Sequence, residues 1–334
     1  MDNPTFTPAA VKEFMGRYTI FVIFVALIFI LAVLTGGRVL GWDSIRVLII
    51  SEAVRAFAAL GVGMIIITRG IDLSIGSVVG LSAAVAASLA QDPDRAVAMI
   101  YPGASFPLAV PVVAGVAVGA LFGLFNGLLI AYGKLPPFIA TLGTMVIARG
   151  VQLIYIGGSI VGSLSNPFMS IAQGSAGAMR FPLLGIYVAV FVFLVWVLMR
   201  HTRTGSNFYA IGGNVQAARV SGINVERGLA CVYLFAGVLY GIAGVLLASR
   251  IGLANAQTAT GMELDAIAAV TIGGISHSGG VGTVAGMVVG VFTMGLINFG
   301  MSFMAVDPNF QGLVKGFIII AAVYFDMRKH ARRN

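Results

Sequence analysis

Long apolar runs, separated by short polar segments, make up most of this chain. Many of the runs approach the 20 or so residues that a helix needs to cross about 30 Å of hydrocarbon. They are continuous rather than alternating, which favours helical spans over the strands of a membrane barrel. The pattern predicts about ten transmembrane helices, at residues 18–34, 56–68, 78–90, 109–132, 138–156, 182–199, 229–249, 264–275, 281–300 and 310–324.

Composition excludes a water-soluble domain. Hydrophobic residues make up 59% of the 334 residues and charged residues only 10%, and the mean hydropathy is +1.00. A soluble surface needs about a quarter of its residues charged. We therefore predict an all-α integral membrane protein, a single transmembrane domain over residues 1–334. Its net charge of +8 indicates membrane orientation and not nucleic-acid binding.

The longest polar interruption, residues 200–227, predicts which side of the membrane is the cytoplasm. It carries four arginines against one acid, Glu226, and a second basic cluster ends the chain at 328–333. Basic segments next to membrane spans stay on the cytoplasmic side. Both termini and this central loop are therefore predicted to be cytoplasmic, in agreement with an even number of spans.

Glycines recur at four-residue intervals in two of the predicted spans, and small residues let membrane helices approach closely. Each series follows an acidic motif and precedes an asparagine, which indicates a weak internal repeat. Matching the fourth span to the ninth makes the repeat inverted, with substrate expected near the interface of the two halves. The alternative is chance recurrence in a chain with 44 glycines. The two series are Gly115, Gly119, Gly123 and Gly127, and Gly282, Gly286 and Gly290.

Five polar side chains within the apolar segments are candidates for a solute pathway. Unpaired carboxylates are costly there, so each acid needs a partner or a function; Arg69 is a possible local partner for the first. The acids could instead cap helix starts, and the asparagines could bond another helix instead of a solute. The acids are Asp72, Glu263 and Asp265, and the asparagines are Asn126 and Asn298.

Within the central loop, residues 209–223 have the pattern of an ordered docking element. The pair Gly212 and Gly213 predicts a turn, after which Asn214 caps a short amphipathic helix that stops at Gly222. So short a helix is marginal in water and would be stabilised by docking on a partner. The alternative is a solvated linker held at the lipid surface by its arginines.

Motifs for catalysis and for metal binding are missing from the sequence. There is no Walker A motif for ATP, no GxSxG elbow and no HExxH spacing. The single cysteine, Cys231, lies in an apolar segment and is predicted to be a buried, inert thiol. We expect neither a cofactor nor a metal site nor an enzyme activity in this chain.

Four stretches in order resemble the permease subunits of bacterial ABC sugar importers of the ribose, xylose and galactoside group. They are GIDLSIGS at 70–77, PFIATLGTM at 137–145, AIGGN with AAR and SGI within 210–223, and ELDAIAA with GG within 263–274. The resemblance runs from about residue 50 to the end. The run SGGVGTV at 278–284, with residues 91–107, is most similar to the methyl-galactoside permeases.

The resemblance implies a type II ABC importer permease fold of about ten helices that carries a monosaccharide or small glycoside. It implies a second copy of the permease, a cytoplasmic ABC ATPase that binds ATP and Mg, and a periplasmic sugar-binding protein in a bacterial inner membrane. The alternatives are an ion-coupled secondary transporter, a facilitative channel or a scaffold. Predicted pathway residues are Asp72, Ser74, Asn126, Thr141, Glu263, Asp265 and Asn298. Predicted ATPase-coupling residues are Tyr209, Ala210, Ile211, Gly212, Gly213, Asn214, Ala217, Ala218, Arg219, Ser221, Gly222 and Ile223.

Overall fold

A computed structural model of the chain describes residues 8–96 and 98–331. These residues form thirteen α-helices, a 3-10 turn at Arg38–Leu40, and a small antiparallel pair of strands, β1 (Ser175–Ala176) and β2 (Phe181–Pro182). The helices are α1 Pro8–Leu34, α2 Trp42–Ile67, α3 Ile75–Leu89, α4 Ala109–Ala131, α5 Pro137–Ile156, α6 Asn166–Gln173, α7 Leu183–His201, α8 Arg203–Gly213, α9 Val215–Val220, α10 Val225–Ile251, α11 Met262–Ile272, α12 Val284–Phe303 and α13 Pro308–Ala331.

Six of the described helices are long and apolar enough to cross a membrane: α2, α4, α5, α7, α10 and α12. Two shorter apolar helices, Ile20–Leu34 and Ile75–Leu89, accompany them. The prediction of a helical, multi-pass membrane protein is confirmed, while the count of ten crossings stays a prediction. The basic tail behind the orientation prediction extends to residues 332–334, which lie outside the described residues.

Helices α3 and α11 are too short to cross a bilayer alone. They have 15 and 11 residues, which at 1.5 Å per residue is about 22 Å and about 16 Å. Non-helical connections precede them, at 68–74 before α3 and at 252–261 before α11. The predicted span 264–275 was therefore placed wrongly at both ends, and the polar lead-in at 43–55 is part of α2.

The glycine series are sites of close helix packing, as predicted. A Cβ added to Gly123 of α4 would come within 2.7 Å of Gly237 Cα on α10, so only glycine allows these backbones to meet. On α12, Gly290 likewise packs on the backbone of Ala269 in α11. The densest packing lies around α2 and α10, whose inner residues from Ala53 to Tyr240 form one buried cluster.

Candidate functional site

A chain of hydrogen bonds links four buried polar side chains from three successive parts of the fold. Thr144 Oγ1 on α5 donates to Asn126 Oδ1 on α4 at 2.6 Å. Asn126 Nδ2 donates to Ser74 Oγ at 3.0 Å, and Ser74 Oγ donates to Asp72 Oδ1 at 2.6 Å. All four side chains are at most 1% exposed. The bonds all point toward the Asp72 carboxylate, so each donor strengthens the next bond.

The backbone of the 68–74 connection sets the position of Asp72. The Asp72 carboxylate accepts a hydrogen bond from the backbone N–H of Ser74 at 2.8 Å, which is a local turn that aspartate favours. Ser74 is the residue before α3, and its own side chain makes no capping bond to the helix. Asp72 therefore fixes the turn that leads into α3, and the prediction that it caps the helix start is wrong in detail.

Thr141 and Glu263 lie apart from this chain of hydrogen bonds. Thr141 is fully buried, and its hydroxyl donates to the carbonyl of Pro137 one turn earlier on α5. Glu263, in the first turn of α11, packs against Gly76 at the start of α3. The starts of the two short helices thus meet at the Glu263 carboxylate, and a carboxylate is favourable near a helix N-terminus.

A cluster of charged side chains joins α2, α11 and α13. Asp265 Oδ2 lies 3.3 Å from Arg55 Nε, and Asp265 Oδ1 lies 3.1 Å from Lys315 Nζ. Arg55 also pairs with Glu52, which is 2% exposed. The prediction that Asp265 needs a partner is thus met by two cations, and the alternative that it caps α11 is wrong, because Gly261 occupies the capping position.

Two polar cavities flank Arg55. One, of about 430 Å³, lies between α2 and α12 and is lined by Glu52, Arg55 and Asn298. The other, of about 350 Å³, is lined by Arg55, Asp265 and polar residues of the 252–261 connection. Both volumes are in the range of small-molecule pockets. Two of the predicted pathway residues, Asp265 and Asn298, therefore line cavities, whereas Asp72 and Asn126 are enclosed by other side chains.

The polar stretch at 200–227 folds into two capped helices. Thr202 caps α8, Asn214 caps α9 by accepting from Ala217 N, and Asn224 caps α10. The capping role of Asn214 is confirmed, and Gly222 follows α9 with a positive φ of 81°. The predicted turn at the glycine pair is wrong, because Gly212 and Gly213 are the last residues of α8.

The surface of this segment separates packing residues from exposed ones. Ile211 and Ala218 are buried, at 0% and 3% exposed, and with Val225 they form a small local core. Val220 is 90% exposed, an unusual position for an apolar side chain on a polar segment. Burial raises the pKa of the Tyr209 phenol, an effect that the nearby Arg200 cation opposes; the Tyr209 hydroxyl donates to Gly282 O at 3.0 Å.

Arg69 ties this segment to two connections of the bundle. Its Nη2 donates to Gly213 O at 2.8 Å and its Nε donates to Ser278 O at 2.7 Å. Beside it, Gly280 N donates to Ile67 O at 2.8 Å. Arg69 is therefore not the partner of Asp72, as was predicted. It joins the α2–α3 connection, the end of α8 and the α11–α12 connection.

Four residues of these clusters were not predicted. Thr144 lies one turn after Thr141, so a polar stripe on α5 was visible in the sequence. Lys315 is a lone cation in an apolar run, and such a residue calls for an acidic partner. Glu52 and Arg55 are spaced three apart, the spacing of an ion pair on one helix face.

Comparison with known proteins supports the resemblance found in the motifs. A family profile described as branched-chain amino acid transport system / permease component matches residues 44–323. The chain is 42% identical to the galactose/methyl galactoside import permease protein MglC of Escherichia coli over 96% of this chain and 95% of that one. It is 43% identical to the MglC protein of Haemophilus influenzae over 85% and 86%.

It is also 38% identical to the ribose import permease protein RbsC of Bacillus subtilis, over 84% of this chain and 83% of that one. No solved structure matches. The predicted resemblance to sugar-import permeases, galactoside members included, is confirmed. Because the profile covers most of the chain and the relatives align along nearly their whole length, the chain belongs to this family of transport-system permease components.

Proposed function

We propose that this chain is the permease subunit of an ATP-driven importer for a monosaccharide or small glycoside in the bacterial inner membrane. The observation that carries the proposal is the capped α8–α9 segment, which is ordered at one end of the bundle and exposes Val220 and Arg219. Its relatives include import permeases for galactosides and for ribose. An ordered surface of this kind serves a protein partner better than a solvated linker.

The proposed partner at this surface is a cytoplasmic ABC ATPase, which binds the ATP and Mg that this chain does not bind. The α8–α9 segment would act as the coupling helix. Its exposed members are the contact residues, while Ile211, Gly212 and Ala218 hold the segment together. Gly212 has a packing role because a Cβ there would collide with Ile67 O of α2.

Arg69 gives a physical route from this surface into the bundle. A push on α8–α9 reaches Gly213, and through Arg69 it reaches Ser278 and the 68–74 connection. That connection contains Asp72 and leads into α3. ATP-driven motion at the surface would therefore tilt or shift the short helices α3 and α11, whose starts meet at Glu263.

The remaining features of the proposed assembly follow from the sequence pattern. We propose ten crossings, with cytoplasmic termini, in which α3 and α11 with their non-helical connections count as two. Both short helices follow a connection and begin near an acid, which supports the inverted repeat. A second permease copy would complete the pathway, along which Glu263, Asp265 and Asn298 are the more accessible predicted residues. A periplasmic sugar-binding protein would deliver the solute.

Reconstitution tests the proposal. The chain is placed in proteoliposomes with the ABC ATPase and the binding protein of its transport system, and ATP-dependent uptake of radiolabelled galactose and ribose is measured. Val220→Asp should reduce ATPase co-purification and uptake about tenfold or more, because a buried unpaired charge at an interface costs about 2 kcal/mol or more. Ile160→Asp is the matched control, since Ile160 is an exposed apolar residue, 66% exposed, near the other end of α10.

Two results would contradict the proposal. Uptake by the chain alone under an ion gradient, with no ATPase present, would identify a secondary transporter. Equal uptake and equal ATPase binding in Val220→Asp and Ile160→Asp would remove the α8–α9 surface as the docking site.

A further inference from the structure

The 430 Å³ cavity between α2 and α12 contains two acceptor oxygens that no described residue satisfies. They are Glu52 Oε2 and Asn298 Oδ1, both buried and without a hydrogen-bond donor among the described side chains and backbone. Leaving a buried acceptor unpaired costs about 1–3 kcal/mol, and more for a charged group. Two such atoms on the wall of one cavity indicate a ligand that donates hydrogen bonds.

Packing holds the Glu52 carboxylate in place. Its Oε1 accepts from Ser51 Oγ at 3.3 Å and pairs with Arg55, which leaves Oε2 for the cavity. Gly295 on α12 allows this approach, because a Cβ at that position would lie 2.8 Å from Glu52 Cδ. The carboxylate is thus preorganised, and its free oxygen cannot turn away without breaking the pair with Arg55.

The other walls of the cavity define the kind of donor. Phe299 and Phe303 on α12 stack with ring centroids 6.5 Å apart, and both line the cavity. An aromatic wall beside a carboxylate and an amide suits a sugar, which has apolar C–H faces and hydroxyl donors around its edge. A bare cation fits poorly beside the Arg55 guanidinium, and the described residues hold no group of three metal-ligating acids, histidines or cysteines.

We propose that this cavity is a binding subsite for the transported solute, in which Glu52 Oε2 and Asn298 Oδ1 accept hydrogen bonds from two sugar hydroxyls. The inference rests on the proposed function and adds two specificity-determining residues to it. Glu52 distinguishes a hydroxyl from a hydrogen at one ring position, and Asn298 does so at another. Phe299 and Phe303 exclude solutes that are polar on both faces.

A protection experiment tests the subsite with the full chain in proteoliposomes with its ATPase. Ser302, which lines the cavity and is exposed, becomes Ser302→Cys in a Cys231→Ala background, so that it is the single thiol. Galactose at millimolar concentration should slow its labelling by a small thiol reagent severalfold. Ser206→Cys, in the cavity formed by α7, α8 and the start of α12, is the matched control and should not be protected.

Substitutions then identify the acceptors. In the Ser302→Cys background, Asn298→Leu should weaken galactose protection about tenfold, the loss of one hydrogen bond of about 1.4 kcal/mol. Asn298→Asp keeps an acceptor oxygen and should retain protection. Glu52→Gln should also weaken protection about tenfold, because the amide nitrogen would face the cavity when its oxygen stays on Arg55.

Uptake by the same proteoliposomes separates this inference from the proposed function. If the unsubstituted complex imports galactose or ribose while neither sugar slows labelling at Ser302→Cys, the subsite is overturned and the importer stands. If the complex imports no sugar and no sugar protects, the proposed function fails and the subsite fails with it. Protection by sodium chloride in place of sugar would overturn the subsite in favour of a cation site.

Discussion

Asp72 and Asp265 are both carboxylates near the start of a short helix, yet the chain stabilises them in opposite ways. Asp72 accepts hydrogen bonds from the backbone N–H and the hydroxyl of Ser74, and it is 1% exposed. Asp265 pairs with two cations, Arg55 and Lys315, and its side chain is 17% exposed. One carboxylate is enclosed by neutral donors, and the other is shared between helices at the edge of a cavity.

The difference separates a structural role from a role in movement. The donors to Asp72 come from its own connection, so the bonds survive only if the 68–74 backbone keeps its shape. The cations at Asp265 come from α2 and α13, which can move relative to α11 when these ion pairs break and form again. A permease needs both properties: a fixed turn that transmits force and an interface between helices that can rearrange.

The largest expected effect is at Asp72. Asp72→Ala removes the acceptor for two buried donors of Ser74, and we expect a loss of about 2–4 kcal/mol in unfolding free energy. The measurement is thermal unfolding of the purified chain in detergent, together with its yield in the membrane. Asp72→Asn, which keeps the acceptor oxygen, should lose about 1 kcal/mol. Wild-type stability in Asp72→Ala would show that the turn does not depend on this carboxylate.

An intermediate effect is expected at Asp265. Asp265→Ala leaves Lys315 and Arg55 close together without their shared anion, which should cost about 1–2 kcal/mol. Lys315→Met in the same chain should restore part of that loss, since it removes one of the two stranded cations. A double-mutant cycle in thermal stability gives the coupling of the pair. Additive losses for the two substitutions would mean that the ion pair contributes nothing to folding.

The same comparison shows what the sequence could and could not predict. Apolar runs placed most of the long helices within a few residues, because length and hydropathy determine membrane spans. The α4–α10 contact followed from the spacing of Gly119 and Gly123. The partners of Asp72 and Asp265 did not, because they depend on how helices far apart in sequence meet. The nearest cation, Arg69, was the wrong choice for Asp72.

Long-range contacts also decide the site. Arg55 and Lys315 lie 260 positions apart in the printed chain, and only the packing of α2, α11 and α13 brings them to one carboxylate. The Asn214 cap was predictable because a cap involves neighbours in sequence. The helix that ends at Gly213 was not, since a glycine pair favours a turn unless packing against α2 and the α11–α12 connection stabilises it.

The smallest expected effect is at the far end of the Asp72 hydrogen-bond chain. Thr144→Val removes the donor to Asn126 Oδ1, and hydrogen bonds between membrane helices average about 0.6 kcal/mol. Thr144→Ser keeps the hydroxyl and is the matched control, measured by the same thermal unfolding. If the bonds strengthen one another along the chain, Thr144→Val in the Asp72→Asn background should cost less than in the wild type, because the charge that orients the donors is gone. Equal losses in the two backgrounds would show that each bond acts alone and that Asp72 influences only Ser74.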